Sequence, residues 1–191
     1  MTHPKLYIIC GCNGAGKTTA SMSVLPEILC CNEFVNADEI AKGLSPFRPE
    51  EVAIEAGKIM LRRIESLLES NETFAIETTL ATRSYKSLVK RAKAKGYIVE
   101  LLFFWLPSPQ MAEERVAERV ASGGHDIPQE VVHRRYWLGI ENLFNIFIPI
   151  VDVWSLYDNS DITLPIVECN VIVDSEKLNL IKEQCQKKKE S

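Results

Sequence analysis

Short apolar runs alternate with amphipathic segments along most of the chain, which is the pattern of strands separated by helices. Five runs have the length and apolar character of strands, and they lie at residues 6–10, 33–36, 73–77, 98–106 and 154–157. The run from 98 to 106 is apolar almost throughout, as in strands buried on both faces of a parallel sheet. The pattern therefore predicts a doubly wound α/β fold, with a five-stranded, mainly parallel sheet and helices on both faces.

Helical spacing marks the segments between these strands. Ile54, Gly57, Leu61, Ile64 and Leu68 recur at three- and four-residue steps, which predicts one apolar face on a long helix. Further helices are predicted at 18–25, at 84–95, after residue 109 and towards residue 147. In the tail, 166–168 and 171–173 fit either a small hairpin or an edge strand, and 175–189 fit a C-terminal helix.

A glycine-rich loop follows the first predicted strand and matches G-x-x-x-x-G-K-[ST] in full. Its glycines allow a tight concave turn whose N–H groups point at phosphate oxygens. Lys17 is expected to reach the β- and γ-phosphates, and the Thr18 hydroxyl is expected to bind Mg²⁺. The residues expected to bind ATP are Gly11, Asn13, Gly14, Ala15, Gly16, Lys17, Thr18 and Thr19. The sequence thus predicts a P-loop NTPase fold that binds ATP and Mg²⁺.

Two acidic residues lie where other predicted strands end, on the rim that carries functional residues in such folds. Asp38 follows the second strand and Glu77 ends the third. Phosphoryl transfer needs an oriented acceptor and a metal. We assign acceptor activation to Asp38 and the metal to Glu77, because the strand beside the phosphate-loop strand usually carries the metal-side acid. The alternative is that either acid only caps a helix or forms a surface ion pair.

Arginines surround a Gly-Gly loop in the second half of the chain. Arg115 and Arg119 lie four residues apart before Gly123–Gly124, and Arg134 and Arg135 follow on the next helix. Two helices joined at a glycine hinge predict a lid over the phosphates, at about residues 108–135, with Arg119, Arg134 and Arg135 as catalytic candidates. Ordinary i,i+4 ion pairing on a solvated face remains the alternative.

Composition limits the class of protein. At 191 residues the chain suits a single domain over 1–191, and a formal net charge of −4 argues against a nucleic-acid partner. No apolar segment precedes the first strand, and the longest apolar run, 101–106, is too short to span a bilayer. The six cysteines show no zinc-ligand spacing. We therefore expect a cytoplasmic protein with reduced thiols.

Three ordered motifs resemble the zeta-toxin family of P-loop kinases. They are the loop 11–19, Asn-Ala-Asp-Glu-Ile at 36–40 and Ile-Glu-Thr-Thr-Leu at 76–80. More narrowly, the segments 124–128, 134–136 and 157–160 resemble a zeta-like subgroup known only as ATPases or kinases. The resemblance covers residues 5–160.

This resemblance implies ATP-dependent phosphorylation of the sugar hydroxyl of UDP-N-acetylglucosamine. It implies a catalytic base at Asp38. It also implies that Glu77, with Thr78 beside it, binds the substrate, whereas the position of Glu77 at the end of its strand favours the metal. The family commonly has an arginine just after the Thr-Leu pair, where this chain has Ala81, so Arg83 is the nearest substitute. The family also has a second lid arginine, which has no counterpart before residue 126 in this chain. Arg134 or Arg135 would take its place.

Three functions follow, in order of preference. The first is a small-molecule kinase whose hydroxyl acceptor is a nucleotide-sugar. The second is a kinase for nucleosides, nucleotides or polynucleotide ends, with the low basic charge against the polynucleotide form. The third is a nucleotide-binding regulatory ATPase that acts through a protein partner such as an antitoxin.

Overall fold

The computed structural model describes residues 3–124 and 126–190, and the side chains of all of these except 189 and 190. Its strands are β1 (Lys5–Cys10), β2 (Phe34–Val35), β3 (Phe74–Thr78), β4 (Ile98–Trp105), β5 (Val153–Asp158), β6 (Leu164–Glu168) and β7 (Val171–Ile172). Its α-helices are α1 (Lys17–Ser23), α2 (Ala37–Leu44), α3 (Ala53–Glu69), α4 (Tyr85–Ala94), α5 (Pro109–Ala121), α6 (Gln129–Asn142) and α7 (Ser175–Glu190). None of the helices in these ranges combines the length and apolar character needed to cross a bilayer.

All the strands belong to one sheet in the order β2-β3-β1-β4-β5-β6-β7. The first five in this order are parallel, and β1 lies at their centre, with Ile8 opposite Ile76 on one side and Leu101 on the other. Because parallel strands end at the same edge, the loops after β1, β2, β3 and β5 meet there. The predicted rim therefore exists, and the phosphate loop lies in its middle.

The sheet has seven strands in the described part of the chain, so the prediction of five was too low. The two additional strands form an antiparallel hairpin, one of the two alternatives for the tail, and β6 pairs with β5. Cys169 and Asn170 form its turn with φ values of +47° and +70°. Two positive φ angles suit a tight hairpin turn, but Cys-Asn lacks the usual Asn-Gly signal, which explains why the sequence left the choice open.

The core-facing side of α3 differs from the predicted stripe. Ile64 and Leu68 are buried as predicted, but Ile54 is 79% exposed and Leu61 is 58% exposed. The other buried positions of this helix are Ala56, Met60 and Leu67. At about 100° per residue, the buried face is rotated by roughly 60° from the predicted one. The helix is apolar over a wider arc than the sheet covers, and one edge of that arc stays open to solvent.

Helix α2 has no counterpart among the predicted elements, although its start carries a recognisable signal. The Asn36 side chain accepts a hydrogen bond from the Asp38 backbone N–H at 2.8 Å and caps the helix. Asp38 and Glu39 occupy the first turn, where the helix dipole favours acids. Asp38 is thus fixed in a helical first turn directly after β2.

The C-terminal helix is tied to β5 by an ion pair. Lys177 Nζ lies 2.7 Å from Asp158 Oδ2, and the Asp158 side chain is 8% exposed. Burial opposes ionisation, but hydrogen bonds from Lys177 and Ser160 outweigh it and hold the pKa of the Asp158 carboxyl below its usual value. The same contact raises the pKa of Lys177. The pair therefore stabilises the fold only while Asp158 is ionised.

Replacing Lys177 by Met should lower the melting temperature at about pH 7 by a few degrees. An acid with a lowered pKa contributes stability above its unfolded pKa of about 3.9 and loses it as pH falls through the folded value. The difference from wild type should therefore shrink at about pH 3, measured by thermal unfolding. Lys188→Met is the matched control and should show little difference at either pH. An equal loss for K177M at both pH values would contradict the ion-pair account.

Candidate active site

The loop between β1 and α1 turns so tightly that glycine is required. Gly11, Gly14 and Gly16 have φ values of +142°, +79° and +77°. A Cβ on Gly11 would collide with the Phe104 carbonyl, and one on Gly14 would lie 2.7 Å from the Ala112 carbonyl oxygen. The loop therefore packs directly on the ends of β4 and α5, and its concave side remains open to a ligand.

The Lys17 ammonium lies over this loop. Its Nζ donates to the Cys12 carbonyl at 2.9 Å and lies 3.7 Å from Glu77 Oε1, and its side chain is only 7% exposed. Burial raises the pKa of the neighbouring Cys12 thiol to about 11, with Lys17 opposing, so this thiol stays protonated at neutral pH. A phosphate entering the loop would meet this positioned cation.

The Glu77 carboxylate connects three elements. Thr18 Oγ1 donates to its Oε2 at 2.8 Å, and Asn36 Nδ2 donates to the same oxygen at 2.9 Å. A hydroxyl beside a carboxylate is an oxygen-donor pair suited to Mg²⁺. In the described ranges no three His, Cys, Asp or Glu side chains converge as a metal cluster, so such an ion would take its remaining ligands from phosphates and water.

One cavity of about 510 Å³ brings most of the predicted site residues together. Its lining includes Asn13, Gly14, Gly16, Lys17, Thr18, Thr19, Asp38, Glu77, Arg115 and Arg119. Asp38 is exposed at its edge, whereas Glu77 is nearly buried. The two acids and the phosphate loop therefore share one space, as the strand ends predicted.

The other candidates lie outside the lining of this cavity. Arg135 Nη1 reaches the Asn13 side chain at 3.3 Å, while Arg134 is exposed on α6. Thr78 accepts a hydrogen bond from the Leu80 N–H, and Arg83 is exposed between β3 and α4. Part of the predicted hinge loop, at residue 125, lies outside the described residues. The lid remains a prediction.

The end of β5, in the segment 157–160, supports the phosphate loop, a role that the sequence motifs did not predict. Asn159 Nδ2 donates to the Ala15 carbonyl at 2.8 Å, and Gly16 approaches so closely that a Cβ would lie 2.6 Å from that nitrogen. Arg115 donates to the Asn159 and Ser160 carbonyls at 2.9 and 2.6 Å. Arg115 thus positions this turn as well as lining the cavity. The available signal for this role in the sequence was the run of polar residues directly after the fifth predicted strand.

These features define a P-loop nucleotide-binding fold: a glycine loop after the central parallel strand, its Lys-Thr pair, and an acid ending the adjacent strand. The sequence profile of the AAA domain family AAA_33 matches residues 6–135. The chain belongs to this family.

Comparison with known proteins gives a relative by sequence and several structures of similar fold. An uncharacterized protein of Haemophilus influenzae is 29% identical over 132 residues, which is 69% of this chain and 92% of that protein. The crystal structure of AvrRxo1-ORF1:-ORF2 with ATP has a TM-score of 0.74 at 18% identity, covering 94% of this chain. This chain spans only 63% of that matched one.

Two further structures are similar over nearly the whole chain. The PezAT chromosomal toxin-antitoxin system of Streptococcus pneumoniae has a TM-score of 0.66 at 16% identity, covering 98% of this chain and 88% of that chain. A gluconokinase from Sinorhizobium meliloti has a TM-score of 0.53 at 15% identity, covering 95% and 97%. These structures show that the chain shares its fold with them over nearly its whole length.

Replacing Asn159 by Ala should weaken Mg·ATP binding by about tenfold, because the loop loses its hydrogen bond at the Ala15 carbonyl. Isothermal titration measures the change. Asn179→Ala, at an exposed position of α7, is the matched control and should bind as wild type. Unchanged affinity in N159A, with a normal melting temperature, would show that the β5 turn does not position the loop.

Proposed function

We propose that the protein is an ATP-dependent small-molecule kinase that transfers the γ-phosphoryl group to an acceptor hydroxyl. The observation that carries the proposal is the shared cavity, in which Asp38 and Glu77 face the phosphate loop together with Lys17 and Arg119. A plain nucleotide-binding module has no need of a second, unengaged carboxylate at this position. The gluconokinase-like fold is consistent with phosphoryl transfer.

The contacts of the two acids favour different roles. Glu77 already accepts hydrogen bonds from Thr18 and Asn36 and lies beside Lys17. Asp38 uses its backbone N–H for the helix cap, and no donor among the described residues engages its exposed carboxylate. Asp38 is therefore the residue available to accept a proton, while Glu77 supports the metal side or orients the substrate.

In the proposed reaction, the loop N–H groups and Lys17 hold the β- and γ-phosphates, and Arg119 adds positive charge. Asp38 orients the acceptor hydroxyl and takes its proton as the new oxygen–phosphorus bond forms. The bond between the γ-phosphorus and the bridging oxygen breaks, and ADP leaves. Thr18 and Glu77 would hold Mg²⁺, which would supply positive charge to neutralise the phosphates.

We propose a nucleotide-sugar as the acceptor, such as UDP-N-acetylglucosamine. The motifs shared with zeta toxins support this choice, and so does the space beyond Asp38. Lys42 lines both the nucleotide cavity and a cleft of about 660 Å³ that contains Phe47, whose ring is 97% exposed. A sugar hydroxyl at Asp38, a diphosphate near Lys42 and a base stacked on Phe47 would fill this path in order.

A second candidate is a regulatory ATPase module acting through a protein partner such as an antitoxin. It is favoured by two of the similar structures, which are a two-protein AvrRxo1 complex and a toxin-antitoxin system. The kinase proposal requires an acceptor that gains phosphate, whereas the regulatory module requires none.

Incubation with Mg·ATP and a panel of nucleotide-sugars, nucleosides and nucleotides, followed by mass spectrometry, separates these functions. The kinase proposal expects one phosphoryl group on a nucleotide-sugar. If only nucleosides or nucleotides gain phosphate, the acceptor belongs to that class and is not a nucleotide-sugar. Bound ATP with no phosphorylated acceptor would favour the regulatory module.

Replacing Asp38 by Asn should reduce turnover by at least about a hundredfold, because the substrate hydroxyl then has no carboxylate to take its proton. The affinity for ATP should change little, since the phosphate loop is untouched. Glu55→Gln, at an exposed position of α3 outside the lining of this cavity, is the matched control and should keep most of the activity. Near-normal turnover in D38N would remove Asp38 from the mechanism.

A further inference from the structure

A strained turn follows β3, at the sheet edge that carries the two acids. Leu80 has a φ of +58° and is fully buried. This left-handed region is unfavourable for a residue with a bulky side chain, and glycine or asparagine usually occupies it. Among the described residues, the four other non-glycine residues with a positive φ are all exposed. Strain of this kind persists only where the surrounding structure imposes it, and it is frequent at active sites.

The last residue of α6 holds this turn. The Asn142 side chain is 2% exposed, and its Nδ2 donates to the Leu80 carbonyl at 2.8 Å. The Leu80 N–H donates in turn to Thr78 Oγ1 at 3.0 Å. A buried carbonyl without a donor is costly, so the Asn142 amide stabilises the orientation in which this carbonyl is satisfied. Both polar groups of the Leu80 backbone are thus fixed.

Gly139 lets α6 approach the same turn closely. A Cβ on Gly139 would lie 2.7 Å from the Thr79 carbonyl oxygen, closer than side chains in folded proteins lie. Glycine weakens the interior of a helix relative to alanine, and this close approach explains its presence here. The turn is therefore held by a hydrogen bond at Leu80 and by a backbone contact at Thr79.

The residues of α6 that make these contacts lie on one face of the helix. Arg135, Gly139 and Asn142 are spaced i, i+4 and i+7, which places them on one side of α6 over about 10 Å. Arg135 Nη1 donates to Asn13 Oδ1 of the phosphate loop at 3.3 Å. One face of one helix therefore contacts both the phosphate loop and the turn that follows Glu77.

We propose that Asn142 is a positioning residue for the candidate active site. By holding the Thr79–Leu80 turn in its left-handed conformation, it keeps the end of β3, with Glu77, in register with the phosphate loop. Asn142 does not line the nucleotide cavity, so it acts through the backbone of the turn. The consequence for turnover rests on the proposed kinase function, whereas the hold on the turn does not.

Hydrogen exchange followed by NMR tests the hold on the turn directly. Asn142→Leu keeps the size of the side chain but removes the donor, so the amides of residues 78–81 should exchange at least about tenfold faster than in wild type. Asn145→Leu, the same substitution at an exposed position three residues further on, is the matched control and should leave this exchange unchanged. Unchanged exchange in N142L would overturn the proposal, whatever acceptor the protein uses.

Turnover separates a positioning role from a purely structural one. At saturating Mg·ATP and acceptor, well below the melting temperature, N142L should lower kcat at least about tenfold and change the Kd for ATP by less than about twofold. Leu80→Gly makes the left-handed conformation accessible without the hydrogen bond, so N142L should cost less than about threefold in the L80G background. Equal losses in the two backgrounds, or an unchanged kcat despite faster exchange, would overturn the proposal.

Gly139→Ala gives an independent measurement on the same turn. The added Cβ pushes against the Thr79 carbonyl, so G139A should also speed exchange at residues 78–81 and lower kcat at least about tenfold. A normal kcat in G139A with a displaced turn would contradict the positioning role. If the wild type phosphorylates no acceptor, the kinase proposal fails, and the exchange results alone decide whether α6 holds the turn.

Discussion

The nearly buried carboxylate of Glu77 is the contact on which the site depends. An ionised acid at 10% exposure is costly unless it is paired, and here Lys17, Thr18 and Asn36 satisfy it. The same Asn36 side chain caps α2 with its oxygen, and so sets the first turn that carries Asp38. One residue at the end of β3 therefore fixes the lysine, the hydroxyl and the second acid relative to one another.

The phosphate loop is held from its other side by the end of β5. Asn159 supports the loop backbone at Ala15, and Arg115 holds the Asn159 turn. Asp158 in the same turn is paired with Lys177 of α7. The C-terminal helix thus connects through a short series of hydrogen bonds to the nucleotide site, which gives the tail a structural part in that site.

The sequence predicted the features that depend on residues close together in the chain. The phosphate loop, the five parallel strands and the acid at the end of β3 all follow from residues close together in the chain. The β6–β7 hairpin and the exposed edge of α3 did not, because an unusual Cys169–Asn170 turn and the rotation of a helix are decided by packing. The roles of Asn36 and Asn159 also needed the fold, since their partners Glu77 and Ala15 are distant in sequence.

The central claim is that this cavity directs the γ-phosphoryl group to an acceptor hydroxyl instead of to water. The most direct test runs the reaction in ¹⁸O-labelled water with Mg·ATP and a nucleotide-sugar, and follows the label by mass spectrometry. The account predicts a phosphorylated nucleotide-sugar without solvent ¹⁸O and little labelled inorganic phosphate. Labelled inorganic phosphate as the main product, with the sugar unchanged, would contradict it.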